Sequence, residues 1–249
     1  YVIFEDGTDL YWARSRVMEY LSTITSRLPD GVQTEMGPDA TSLGWIFQYA
    51  LVDDSGRYDL ADLRSFQDWN LRYQLQSVPG VSAVASFGGH VKQYQVEVDP
   101  AALLAYDIPL TKVLSAIRRS NNETGARVIE MGGREYMVRV RGYLKNLRDI
   151  RETPVGVDAK TGTPITIQRV ARVQEGPELR RGVADLNGRG DTASGVVIMR
   201  HGENALAVIE RVKERIQEIE PGLPDGMRIQ VTYDRSDLIL RSINTLKYT

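Results

Sequence analysis

The sequence predicts an α+β fold: ferredoxin-like split βαβ units, one of them interrupted by a small inserted α+β domain. Three observations carry this. Residues 1–39 align with residues 196–234 without a gap, each of those copies reads strand–helix–strand, and a third, diverged unit of the same kind lies between them. A repeat found first constrains every later assignment, because each copy must fold by the same local rules.

In the two copies Val2 falls on Val197, Ile3 on Ile198, Gly7 on Gly202, Arg16 on Arg211, Val17 on Val212 and Glu19 on Glu214. Leu28-Pro29-Asp30-Gly31 falls on Leu223-Pro224-Asp225-Gly226, and Asp39 on Asp234. Each copy opens with β-favouring residues, 1–5 or 196–200, that suit a pleated surface. A glycine turn follows, then Asp9 or Asn204, whose side chain can accept from the orphan amides of a first helical turn. Val17, Leu21, Ile24 and Leu28, echoed by Val212, Ile216, Ile219 and Leu223, share one helical face. Pro-Asp-Gly stops the helix. Val32, Thr34 and Met36, and their counterparts Met227, Ile229 and Val231, alternate as a second strand.

The third unit runs from a strand at 46–52, through a Ser55-Gly56 turn, to a helix carrying Leu60, Leu63, Leu71, Leu75 and Val78. Pro79-Gly80 ends that helix, and residues 81–87 form its second strand. Two βαβ units make a ferredoxin-like layout. The middle unit is paired with the C-terminal one, which leaves the N-terminal copy awaiting a mate upstream of Tyr1.

From about Gly88 to Gly182 the texture changes. Residues 91–98 alternate as a strand, and Asp99-Pro100 reads as a cap followed by proline at the first helical position. Residues 110–119 form a second short helix, while 127–131 and 135–141 flank Gly132-Gly133 as a hairpin. Residues 164–173 read as one further strand.

The chain has 249 residues, 42% apolar and 26% charged, with net charge −2 and no cysteine. That is a folded chain of one or two domains. It lacks the electrostatic footprint of a nucleic-acid binder, and disulfides and thiolate sites are excluded. No apolar run approaches the ~20 residues needed to cross a bilayer, and no signal peptide is visible. Tyr1-Val2-Ile3-Phe4 reads as a strand already under way, as in a piece of a longer protein.

Motifs of catalysis are missing: no P-loop, dinucleotide fingerprint, H-E-x-x-H or G-x-S-x-G occurs. Gly188, Gly190 and Gly195 read as a flexible turn, not a phosphate cradle. His90 and His201 are expected in exposed loops without a partner. Asp53-Asp54 fits a turn better than a catalytic dyad. Arg169, Arg172, Arg180 and Arg181, interspersed with Glu175 and Glu178, read as a salt-bridged surface or a protein-docking face. Thioethers favour soft cations such as Cu(I), yet Met36, Met199 and Met227 align with Val231, Phe4 and Val32 in the repeat, so packing accounts for them. Met18 reads as an exposed helix flank, and Met131 and Met137 belong to the Gly-Gly hairpin. No catalytic, cofactor-binding or metal-ligating residue is assigned.

Several motifs carry a resemblance. They include Phe4-Glu5-Asp6-Gly7-Thr8-Asp9 with Ala13-Arg14, Gly37-Pro38-Asp39-Ala40-Thr41, and Asp62-Leu63-Arg64 with Gln67-Asp68-Trp69. Tyr94-Gln95-Val96 with Asp99-Pro100, Glu135-Tyr136-Met137-Val138-Arg139, Gly176-Pro177-Glu178 with Arg180-Arg181-Gly182, and Tyr233-Asp234-Arg235-Ser236 continue it. In this order, end to end, they resemble the periplasmic region of the heavy-metal efflux branch of resistance–nodulation–division transporters. Residues 45–53, WIFQYALVD, are more similar to the copper/silver type than to the cobalt–zinc–cadmium type.

The resemblance implies a proton-driven, trimeric inner-membrane pump, with this chain as its first periplasmic loop. Residues 1–38 would be the second half of a first porter subdomain. Residues 39–87 with 181–234 would form the second, 88–180 an inserted docking domain, and 235–249 a linker toward the next membrane helix. Implied partners are the rest of the transporter and its trimer neighbours, a periplasmic adaptor (membrane fusion protein) and an outer-membrane channel, with metal cations as cargo. The resemblance implies no enzyme activity and no cofactor. Copper/silver members can carry methionine after Gly-Pro-Glu, where this chain has Leu179, so no metal ligand is carried over. Two alternatives stay open: the equivalent region of a pump exporting organic compounds, and a free-standing ferredoxin-like ligand-binding or sensor protein.

Overall fold

The computed structural model describes residues 2–29, 31–32, 34–132, 134–158, 161–180 and 182–247. In chain order its elements are α1 (Leu10–Ile24), β1 (Trp45–Asp53), α2 (Leu60–Phe66), a π-helical turn (Gln67–Leu71), α3 (Arg72–Gln76) and β2 (Val81–Gly88). Then follow β3 (Lys92–Val98), α4 (Pro100–Ala105), α5 (Leu110–Ser120), β4 (Asn122–Met131), β5 (Arg134–Gly142), α6 (Leu147–Glu152), β6 (Pro154–Val157), β7 (Pro164–Thr166), α7 (Ile167–Val170) and β8 (Ala171–Pro177). The chain closes with β9 (Ala193–Met199), α8 (Ala205–Ile219), β10 (Met227–Asp234) and α9 (Ser236–Lys247). These fall into two compact units, Tyr1–His90 with Arg180–Thr249, and Val91–Leu179.

In the first unit four strands lie in the order β10-β1-β9-β2, each antiparallel to its neighbours. Numbered within the unit this is 4-1-3-2, so the two βαβ halves interleave their strands as the ferredoxin-like reading requires. One face packs on the helices. Phe47, Tyr49, Leu51, Val84 and Val197 of the strands meet Leu63, Leu71, Leu75 and Val78, and Val208, Ile209, Val212, Ile216 and Ile219 of α8. Each fully buried side chain of this kind stabilises by about 1.5–3 kcal/mol, so this face dominates the unit's stability.

The second unit has its own core. Ile108, Val113, Ala116, Ile150, Val155, Ile165, Ile167, Val170, Ala171 and Val173 are buried together. Three two-stranded ladders, β3–β8, β4–β5 and β6–β7, complete it. Asp99 caps α4 from its own side chain, accepting from Ala101 and Ala102 ahead of Pro100, as the sequence predicts. Gly132 takes φ +61° in the β4–β5 hairpin, and Gly133 lies outside the described residues.

Four elements depart from expectation. Residues 2–5, 31–32 and 34–38 form no strand, and Tyr1 and Gln33 lie outside the described residues. No described strand offers those segments a ladder, so Val2, Ile3 and Phe4 stand 71%, 91% and 37% exposed. For the same reason Val17 and Leu21 are only half-buried and Ile24 is exposed, leaving Ala13 as the buried residue of α1. The strand expected over 164–173 is split by α7, whose Ile167 and Val170 point into the core. The helix over 60–78 contains the π-helical turn at Gln67–Leu71, with Gln67 and Leu71 both buried.

Candidate functional site

The face of the four-stranded sheet turned away from α2, α3 and α8 carries a groove built from its own strands. Strand alternation puts Phe47, Tyr49 and Leu51 into the core and Gln48 and Ala50 on the opposite side. Across β9, Ala50 pairs with Ser194 and Gln48 with Val196. Residues 183–186 lie over these positions, and Trp45 and Phe87 stand at the margin, their rings 6.3 Å apart. The result is a groove of about 350 Å³, with an aromatic rim, a floor of small and amide side chains, and Asp185 at its edge. Such a lining suits packing or binding rather than proton transfer.

The glycines near it hold a carboxylate of the chain itself and not a phosphate. The amides of Gly188 and Gly190 are taken by the Asp185 carboxylate at 2.6 and 3.0 Å. Gly195 is not in a turn at all; it lies in β9 beside Tyr49, and a Cβ there would meet the Tyr49 ring at 2.3 Å.

Below the sheet a polar string runs through the core. The Tyr49 hydroxyl donates to Gln67 Oε1 at 2.9 Å, and Gln67 Nε2 donates to Ser86 Oγ at 3.3 Å. Burial pushes the Tyr49 phenol well above its ordinary range, and the nearby Asp68 charge adds to this. Beside it Arg64 Nε donates to Asp68 at 2.7 Å and Arg64 also reaches the Gly88 carbonyl at 2.6 Å. A sequence signal for Gln67 exists: it sits four residues from both Leu63 and Leu71, an amide on an otherwise apolar face.

The remaining singled-out residues are dispersed. Asp53 accepts from the Ser55 hydroxyl, the Ser55 amide and the Tyr58 amide. The Ser55 hydroxyl and the loop amides lower its pKa to about 2. Asp54 instead pairs with Arg228 at 2.6 Å, so these two carboxylates serve a turn and a strand separately. His201 is exposed, but His90 is half-buried with Nδ1 unbonded, a departure from the exposed loop expected of it. Arg180 pairs with Asp191 at 2.6 Å, and Arg181 lies outside the described residues.

Met227 is core, Met199 half-buried, and Met18 and Met131 are 59% and 65% exposed. Met36 is half-buried in irregular chain rather than in a strand; the Met137 side chain lies outside what is described. Among the described residues no group of three or more His, Asp or Glu is placed to hold a metal ion. No helix there is long and apolar enough to cross a membrane.

Comparison with known proteins matches residues 1–249 to the AcrB/AcrD/AcrF family. The chain is 54% identical over 246 residues to the cation efflux system protein CusA of Escherichia coli K12, covering 99% of this chain and 23% of that protein. It is 52% identical over the same length to the putative cation efflux system protein SilA of Salmonella typhimurium, again 99% and 23%. Against the cobalt-zinc-cadmium resistance protein CzcA of Cupriavidus metallidurans the identity is 39% over 253 residues, covering 99% and 24%. The crystal structure of a heavy metal efflux pump superposes with TM-score 0.86 at 29% identity, over 99% of this chain and 24% of that one. The chain thus spans about a quarter of the length of its relatives.

Proposed function

This chain belongs to the AcrB/AcrD/AcrF family, and from that premise we propose that it is the porter-and-docking segment of a proton-driven pump exporting heavy-metal cations, of the copper/silver type. The observation that carries this is the identity gradient: 54% and 52% to CusA and SilA, against 39% to the cobalt–zinc–cadmium protein, each over 99% of the chain. Its relatives are transporters, and the role is accordingly mechanical rather than catalytic.

In this reading residues 39–87 with 181–234 are the second porter subdomain, 88–180 the docking domain and 235–249 a linker toward a membrane helix. Residues 1–38 complete a first porter subdomain whose other half belongs to the rest of the pump. The uncovered Val17–Leu21–Ile24 side of α1 supports that, because the same positions of α8 are covered by a βαβ mate. The segment works in the periplasm within a trimer, against an adaptor and an outer-membrane channel.

Growth of cells carrying or lacking the parent gene, challenged with copper, silver, zinc and cobalt, tests it. Loss of tolerance to copper and silver alone is the expected result. Sensitivity to zinc or cobalt would move the pump to the divalent branch; no change with any metal would overturn metal export in favour of an organic cargo.

A further inference from the structure

The loop from Ala184 to Thr192, which supplies part of the groove wall, is closed by a tight turn. The Thr192 amide donates to the Ala184 carbonyl at 2.9 Å, Asp185 and Asp191 face each other in an antiparallel bridge, and the Arg189 amide donates to the Leu186 carbonyl at 3.0 Å. The two central residues of that turn, Asn187 and Gly188, take φ +57° and +69°. Successive positive φ values mark a type I′ turn, for which Asn-Gly is the favoured pair. Asparagine is a thermolabile residue, and it is most so before glycine. With no Cβ, the glycine amide nitrogen approaches the preceding side-chain carbonyl freely. The turn geometry therefore calls for a chemically fragile dipeptide. One contact bears directly on that chemistry: the Asp185 carboxylate accepts from the Gly188 amide at 2.6 Å, and from the Gly190 amide at 3.0 Å.

We propose that Asn187-Gly188 is a deamidation site which the Asp185 carboxylate holds in check. In the reaction hydroxide takes the proton of the Gly188 amide, and the freed nitrogen attacks Cγ of Asn187. The bond from Cγ to the side-chain nitrogen breaks, and that nitrogen leaves as ammonia with a proton from water. Water then opens the cyclic imide at either carbonyl, leaving aspartate or isoaspartate at position 187. Asp185 opposes the first step twice. Its oxygen engages the proton that must leave, and its charge disfavours an anion on the adjacent nitrogen. Loss of such a charge-assisted bond before attack slows the reaction by about tenfold to a hundredfold. The product disturbs the loop, because a new carboxylate two residues from Asp185 and four from Asp191 is repelled by both. Isoaspartate also adds a methylene to the backbone beside Leu186, which lines the groove. The atoms concerned all lie within residues 185–190, so the inference depends neither on the cargo nor on what the rest of the pump packs against this unit.

The full chain, aged at neutral pH and cut with trypsin, reports the reaction as a mass gain in the peptide covering residues 182–189. The folded chain is expected to convert Asn187 at least about tenfold more slowly than the same chain unfolded in guanidinium chloride. Asp185→Ala, which removes both bonds to the glycine amides, is expected to recover most of that difference with circular dichroism unchanged. Asp191→Ala removes a carboxylate from the same loop but neither of those bonds, and is expected to leave the rate at the wild-type value. Should Asp185→Ala fail to fold, Asp185→Ser decides the matter: its hydroxyl can hold one amide, and an intermediate rate is expected. Equal rates in the folded and unfolded wild-type chain overturn the proposal, as does an Asp185 variant that folds and reacts no faster. Equal acceleration by Asp185→Ala and Asp191→Ala overturns it too, because the stiffness of the loop and not the carboxylate would then be the cause.

Discussion

Tyr49 shows how narrowly one residue can be specified. Its ring lies beneath Gly195 and its hydroxyl ends on Gln67, so the site demands no side chain above it and an acceptor beyond it. Gly195→Ala would force a methyl into the ring and is expected to cost about 1–3 kcal/mol. Tyr49→Phe would leave the Gln67 carbonyl oxygen buried without its donor and is expected to cost about 1–3 kcal/mol. Urea unfolding midpoints check both, and wild-type stability in either would contradict this account.

Carboxylates set the acid limit. Burial works against ionised Asp39 and Asp234, but hydrogen bonds and cations at each outweigh it and lower both pKa values; Asp53 reaches about 2. A folded pKa below the unfolded one means that the unfolded chain binds more protons as pH falls. Stability is therefore fully present above about pH 4–5 and lost progressively toward about pH 2. Unfolding midpoints measured from pH 6 down to pH 2.5 should fall monotonically below pH 5; a rise in that interval would contradict the assignment.

At the scale of elements, the two capped helices make a controlled comparison. Asp9 accepts from the Trp12 amide and Asn204 from the Ala207 amide, the same bond at equivalent positions. Asn204→Ala is expected to lower global stability by about 1 kcal/mol, because α8 is integral to the core. Asp9→Ala removes the same bond from a helix that buries one residue. It is expected to reduce helical circular dichroism while leaving the main unfolding midpoint in place. Equal losses of global stability from the two substitutions would show α1 to be part of the cooperative unit.

On the scale of the whole molecule, the strands of the sheet unit come from both sides of a long insertion. β1 pairs with β9 and β10 rather than with its chain neighbour β2. The ends of the inserted unit are themselves adjacent, the Glu178 amide donating to the Val91 carbonyl at 2.8 Å. Closing such a gap costs little in chain entropy. Replacing residues 91–179 by a short glycine-serine link is therefore expected to leave the β10-β1-β9-β2 sheet folded and cooperatively unfolding. Loss of the thermal transition in the shortened chain would show that the core of the sheet unit is insufficient by itself.

The repeat marks where sequence alone is decisive. α1 and α8 begin and end at equivalent residues, each runs into a 3-10 turn, Thr25–Arg27 or Glu220–Gly222, and the paired glycines adopt matching φ: +86° and +84° at Gly7 and Gly202, +87° and +88° at Gly31 and Gly226. Those features depend on caps, turn residues and hydrogen bonds that close within four residues, so equivalent cap and turn residues suffice even where most of the helix differs. Strands obey another rule. The segments 2–5 and 32–36, the latter alternating through Val32, Thr34 and Met36, read as strands as well as their counterparts in β9 and β10 do, yet among the described residues only the latter form, because a ladder needs a partner that the local sequence cannot supply. The π-helical turn at Gln67, the α7 interruption and the groove under residues 183–186 were decided in the same way, by what packs against them. Local geometry was determined by the sequence itself. Whether a segment became strand, core or surface was determined by the partners that the tertiary structure brought to it.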